Sequence, residues 1–135
     1  QEKQANTSST SQTLFNLKLL AYERIILFIE RIKPDSFIPR TLSPSLPYQE
    51  YQLLLINEIR KEFEYNLSQQ LYLSENAWEV TVNFKDNIIT LINSAATSCP
   101  PQATASDLAR KILEHYISSD LKGDQISKIV KAEIQ

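Results

Sequence analysis

The residues able to do chemistry are few in this chain. It holds one histidine, His115, and one cysteine, Cys99. His115 follows Glu114, but neighbours on a helix point about 100° apart and do not face each other. Its spacing from Leu108 and Ile112 puts it on an apolar side. That suits a satisfied core or boundary histidine better than a general base. Cys99 precedes Pro100 and Pro101, with no histidine or basic residue close by to lower its pKa. A loop or buried structural thiol is expected there. A di-iron carboxylate site needs Glu-x-x-His on two helices. Glu62 is followed three residues later by Tyr65, and a lone His115 cannot complete such a set. One glycine in 135 residues excludes a Gly-rich phosphate loop, a dinucleotide fingerprint and a nucleophile elbow. One cysteine excludes an internal disulfide framework and a zinc-finger ligand set. The expectation is no catalytic residue, no metal site and no cofactor.

The best polar constellation pairs Arg24 and Arg31 with Glu62, Asn66 and Gln70. The two arginines stand one heptad apart, about 10 Å along a helix, and Glu62 to Gln70 spans about 12 Å. Glu62, Asn66 and Gln70 also fall within the apolar arc of their own helix. Antiparallel packing of the two segments would let these residues pair like rungs. One reading is an inter-helix network that fixes register. The other is a polar pocket for a ligand or a peptide terminus. Tyr22 and Trp78 are the candidate interface aromatics, against the commoner role of such residues in packing.

The elements that must position these residues read as helices. Leu14 to Lys33 is rich in Leu, Ile and Phe and free of Gly and Pro, and Pro34 stops it. It is apolar nearly all round, so it should be central or self-associating. Residues 34–47 hold four of the six prolines and read as a long connection with at most one helical turn, pinned by Phe37, Ile38, Leu42 and Leu46. Tyr48 to Tyr72 reads as a second long helix, its stripe Tyr48, Tyr51, Leu55, Ile59 and Phe63, with Pro47 in the first turn and Ser45 as a possible cap. Residues 74–97 fit two patterns. Trp78, Val80, Val82 and Phe84 alternate as a strand would, and Lys85-Asp86-Asn87 could turn a hairpin. A lone hairpin is marginal, and no third strand is evident. Helix is the choice, with Ser74 as N-cap. Thr104-Ala105-Ser106-Asp107 resembles a capping box with Asp in the last position. Gly123 is placed as the C-terminal cap of that helix, and Asp124 as the cap of a short last helix. Residues 1–13, with one alanine and no larger apolar side chain, read as a polar tail or linker. The fold class is therefore all-α: a four- or five-helix bundle over residues 14–135, with one long Pro-rich connection.

The balance of 14 Lys+Arg and 16 Asp+Glu gives a formal net charge of −2. No basic excess exists to follow a phosphate backbone, so nucleic acid is not an expected partner. No apolar stretch reaches the roughly 20 residues a membrane span takes. The chain has no methionine and begins at Gln1. A segment N-terminal to it is expected, and any membrane attachment would come through that segment.

Two runs are distinctive in wording. Leu20-Ala21-Tyr22-Glu23-Arg24 is followed by Leu27-Phe28-Ile29-Glu30-Arg31-Ile32. Glu62 to Tyr72 reads EFEYNLSQQLY, with Trp78 shortly after. Together they resemble a family of small uncharacterised proteins from Bacteroidetes. The resemblance covers residues 17–95 well and the C-terminal 40 residues loosely. It implies an N-terminal transmembrane anchor, a helical and cytoplasmic-type domain at a bacterial membrane, and helix for residues 74–97. Members often carry histidine where this chain has Tyr65, a departure that further weakens a metal reading. The resemblance implies no substrate, cofactor or catalytic residue. The expected function is a non-enzymatic helical interaction module that binds a protein partner or itself. A ligand-binding or enzymatic domain using Arg24, Arg31 and Glu62 is the alternative.

Overall fold

The computed structural model describes residues 2–134, with side chains from residue 9 onward. Six α-helices follow in order: α1 Glu2–Ile32, α2 Pro34–Thr41, α3 Tyr48–Tyr65, α4 Glu75–Thr97, α5 Ala105–Ser118 and α6 Gly123–Ala132, with a 3₁₀ segment, Leu67–Tyr72, between α3 and α4. Among the described residues there is no strand. The hairpin alternative for residues 74–97 gives way to one continuous helix.

Helix α1 is 31 residues long, about 46 Å at 1.5 Å per residue. Its core stripe is Ala21, Tyr22, Ile25, Phe28, Ile29 and Ile32, all buried at spacings of three and four. Residues 9–17 of the same helix are exposed. The polar stretch that reads as a tail therefore continues the helix outward from residue 14. Lys33 then turns extended, as a residue before proline prefers, and Pro34 opens α2 at its first position.

Residues 34–47 are more regular than their prolines suggest. Pro34 sits where its missing N–H costs nothing, so only Pro39 lies inside α2. Burial of Phe37 and Ile38 holds that helix to the core, and Leu42 and Leu46 pack beside it. Thr41 Oγ1 meets Tyr51 Oη at 2.9 Å. The start of α3 is fixed by backbone rather than by Ser45. Tyr48 N–H donates to the Ala103 carbonyl (3.1 Å), and Ala105 N–H donates to the Leu46 carbonyl (2.7 Å). This isolated bridge knits the starts of α3 and α5 together.

The caps read from the sequence are formed at two helices. Ser74 Oγ accepts from Ala77 N–H (3.0 Å) at α4. Thr104 and Asp107 make a reciprocal capping box at α5. Gly123 is different: it is the first residue of α6, not the end of α5. Here the Tyr116 hydroxyl accepts the Gly123 N–H (3.0 Å). A Cβ at residue 123 would overlap Lys33 Cγ and Cδ and lie 3.3 Å from Tyr116 Oη. Packing, not a left-handed turn, is what requires glycine.

Lys33 is the reason for that close packing. Its side chain is only 10% exposed, with Nζ 2.7 Å from Glu30 Oε2 and 2.7 Å from Asp124 Oδ1. Ser127 Oγ donates to the other Glu30 oxygen (2.8 Å). Burial alone would lower the Lys33 pKa, but hydrogen bonds to Asp124 and Glu30 outweigh it and hold the ammonium above the ordinary lysine range. The same ammonium holds both Glu30 and Asp124 below the ordinary carboxylate range. Asp124, expected as a cap, is thus a tether between α6 and α1. At its other end α6 is fixed by Glu133, which accepts from Ser74 Oγ (3.1 Å) and Asn76 Nδ2 (2.7 Å) of the α4 start.

Two outcomes follow for stability. Gly123→Ala should destabilise by about 1–3 kcal/mol through overpacking. Combining it with Lys33→Ala should cost clearly less than the sum of the single changes, since the clash is then gone. Urea melts of the three variants measure this, and additive costs would refute the contact. Carboxylates with lowered pKa stabilise above about pH 4 and lose that contribution as pH falls through their folded values. Stability should therefore drop between about pH 5 and 3, and Lys33→Met should show a shallower acid limb. Melts at both ends of that window test it, and an unchanged acid limb would count against the tether.

Candidate functional site

The sequence-predicted polar residues divide between two places. Arg24, Arg31, Glu62 and Asn66 line one cleft of about 200 Å³, together with Leu27, Phe28 and Tyr65. Gln70 lies elsewhere, with Leu73, Ser74, Glu75, Trp78 and Glu79 around a separate depression. The reason is local. Asn66 ends α3 in a non-helical conformation, and its side-chain Nδ2 donates to the Glu62 carbonyl at 2.8 Å. The chain then continues at the three-residue period of a 3₁₀ segment, so helical extrapolation from Glu62 misplaces residue 70.

Within the cleft, the arginines have different roles. Arg31 Nε and Nη2 both donate to Glu62 Oε1, at 3.1 and 2.8 Å. Arg40, which the sequence did not mark, brings Nη1 to 3.7 Å from the same oxygen. Its Nη2 donates to the Arg31 carbonyl at 2.8 Å. The hydrogen bond to Glu62 raises the Arg31 pKa further above its already high value. The pair is half-open: side-chain exposure is 42% for Arg31 and 19% for Glu62. Arg24 is exposed and makes no ion pair with any described residue.

The aromatic candidates also separate. Tyr22 is fully buried, and its hydroxyl accepts the Ser74 N–H at 3.1 Å. It is a core residue that seats the start of α4, not an interface residue. Trp78 is half-buried and stacks on Phe63 at 5.4 Å between centroids. Phe63 in turn meets Phe28 at 5.9 Å, and Lys85 Nζ lies 4.2 Å over the Phe63 ring. This ladder ties α1, α3 and α4 together directly behind the cleft, with Phe28 common to both.

Cys99 and His115 both lie outside the cleft lining. Cys99 is buried, its Sγ 3.8 Å from the Ala95 carbonyl, and burial pushes its thiol pKa up. His115 is half-buried on a shallow surface with Asn87, Thr90 and Ser94. Among the described residues no group of three or more His, Cys, Asp or Glu could hold a metal ion. No described helix is long and apolar enough to cross a membrane.

Large apolar side chains remain outside the core. On α1 they are Leu14, Phe15, Leu17, Leu20 and Leu27, the last 58% exposed. The 3₁₀ segment, packed against α1, adds Leu67 and Leu71, the latter 82% exposed. Tyr65 stands at the cleft edge, 80% exposed. Tyr65 and Leu27, which line the cleft, and Arg40, which approaches Glu62 from outside its lining, are the residues that sequence reasoning did not place at the site. Leu27 was visible as part of an over-apolar helix. Nothing in the Pro-rich segment marked Arg40.

Residues 1–135 match the Family of unknown function (DUF7935), and the chain belongs to that family. No curated protein and no solved structure matches it.

The geometry sets the expected mutational pattern. Glu62→Ala should destabilise by roughly 1 kcal/mol, the scale of a well-formed but half-exposed pair. A double-mutant cycle should couple Glu62 to Arg31 by about 0.5–1 kcal/mol. Glu62 and Arg24 should be additive within about 0.5 kcal/mol. Coupling of Glu62 to Arg24 as large as to Arg31 would contradict this division.

Proposed function

We propose that this family member is a non-enzymatic helical protein-interaction module, and that another polypeptide docks along the outward side of α1. The observation that carries this is the exposed apolar row Leu17, Leu20 and Leu27 on α1; Leu67 and Leu71 are exposed on the 3₁₀ segment that packs against the same helix. Exposed apolar surface beyond scattered single residues marks interaction surfaces. Charges of both signs border the row, with Glu23 beside Arg24 and both exposed. Mixed signs suit a polypeptide partner better than an anionic lipid surface, which would select cations alone. The cleft of about 200 Å³ is smaller than the roughly 300–1,000 Å³ of small-molecule sites. It has room for a side chain, which favours docking over ligand binding or catalysis.

The expected membrane tether and bacterial, cytoplasmic-facing setting belong to the same proposal. Their support is the resemblance of the Leu20–Ile32 and Glu62–Tyr72 runs to anchored Bacteroidetes proteins. The exposed stretch of α1 before residue 18 is consistent with a spacer.

The test is site-specific photo-crosslinking in the native cell, with the full-length protein carrying the crosslinker at Leu20 or Leu27. Exposed Glu114 is the control position. One defined adduct from the α1 positions, absent from the control, is expected. Leu20→Glu with Leu27→Glu should abolish direct binding of that purified partner while changing stability by no more than about 0.5 kcal/mol per site. Adducts no stronger than at Glu114 would end the proposal.

A further inference from the structure

We infer that the partner segment is an acidic amphipathic helix that seats one apolar side chain in the α1 cleft and gives a carboxylate to Arg24. This rests on the docking reading above and specifies the chemistry of the occupant. The cleft has an apolar lining, Leu27 and the buried Phe28, and a polar rim that includes Glu62. Two guanidinium groups, Arg24 and Arg31, stand there. Glu62 is engaged by Arg31 and approached by Arg40. Arg31 also senses Glu58. Arg24 is the charge left over, and it is exposed where it lines the cleft.

An incoming apolar side chain would cover Leu27 and exclude water from the rim. Exclusion of water strengthens a charge pair made there, so Arg24 favours a carboxylate one helical turn from the anchor. The supporting surface is helix-shaped. From Leu17 to Leu27 is about 15 Å along α1, two to three turns of a partner helix. The exposed ring of Tyr65 is a rim aromatic of the type enriched at binding hot spots.

The probe is a synthetic helical peptide with leucines at i, i+3, i+4 and i+7 and glutamates on the flanks. A control carries the same leucines with lysine for every glutamate. Fluorescence anisotropy on the full chain should show the glutamate peptide binding and the lysine peptide about tenfold weaker or worse. Added salt should weaken the glutamate peptide. Arg24→Glu should reverse the preference, and Arg24→Lys should keep it. Equal affinity for both peptides, or binding insensitive to Arg24→Glu, would overturn the inference. So would no binding of the glutamate peptide at about 1 mM. Sedimentation of the chain with anionic phosphatidylserine vesicles, lost in Arg24→Glu while neither peptide binds, would assign the surface to lipid instead. A concentration-dependent dimer lost in Leu27→Glu would assign it to a second copy, again against the inference. Crosslinking that depends on Leu27 but not on Arg24 would leave the docking proposal standing and remove only the acidic partner.

Discussion

The ammonium of Lys33 is the point from which the rest of the arrangement is set. It stands where α1 ends and α2 begins, at the only residue between two helices, and it is almost out of water. A buried cation must find carboxylates, because leaving it unpaired costs far more than the pairing contributes. Glu30 comes from its own helix and Asp124 from α6, the last helix of the chain. The requirement thus reaches across 91 residues of sequence and fixes where α6 lies. Gly123 is the steric counterpart of that electrostatic requirement: the lysine stem passes through the space its side chain would fill. With α6 held there, Glu133 reaches Ser74 and Asn76, and the start of α4 is set from outside its own helix.

The cleft is built by the same logic on the opposite scale. Its apolar floor belongs to a ladder of rings, Phe28, Phe63 and Trp78, drawn from three helices. Aromatic pairs of this kind hold preferred angles and distances. Through Phe28, which lines it, the cleft is backed by packing from three helices. Asn66 closes the edge by taking over the Glu62 carbonyl where α3 stops. The surface is thereby built on helix α1 and a rigid turn rather than on a loop, which suits recognition of a shape.

Much of the helical layout was legible in the residues. For residues 74–97 the lack of a third strand decided for helix, while Pro34 marked a boundary and Ser74 and Thr104 with Asp107 marked helix starts. These features act within a few residues of themselves, which is why the sequence displays them. The misreadings share the opposite character. Gly123 looks like a cap because its true constraint, Lys33, is distant in the chain. Residues 34–41 look irregular because prolines dominate the eye, yet only one of the two prolines in α2 lies inside the helix. Gln70 was grouped with Glu62 by a period of 3.6 that stops at Asn66. Arg24 and Arg31 looked alike, and only the placement of α3 assigns Glu62 to one of them.

The bridge between Leu46–Tyr48 and Ala103–Ala105 has a consequence for how the chain comes together. Two backbone hydrogen bonds close a circuit of more than 50 residues that contains α3, the 3₁₀ segment and α4. Closing so long a circuit is entropically unfavourable until its contents have condensed, and the cost grows only slowly with length. The clasp therefore depends on the pairing of α3 and α4 inside the loop that it closes. Once formed, it turns the middle of the chain into a cycle in all but covalent terms. Helix α1 lies outside that cycle, and so does α6. Lys33 joins these two outer helices to each other, so one ion pair links the parts of the chain that the backbone clasp leaves out.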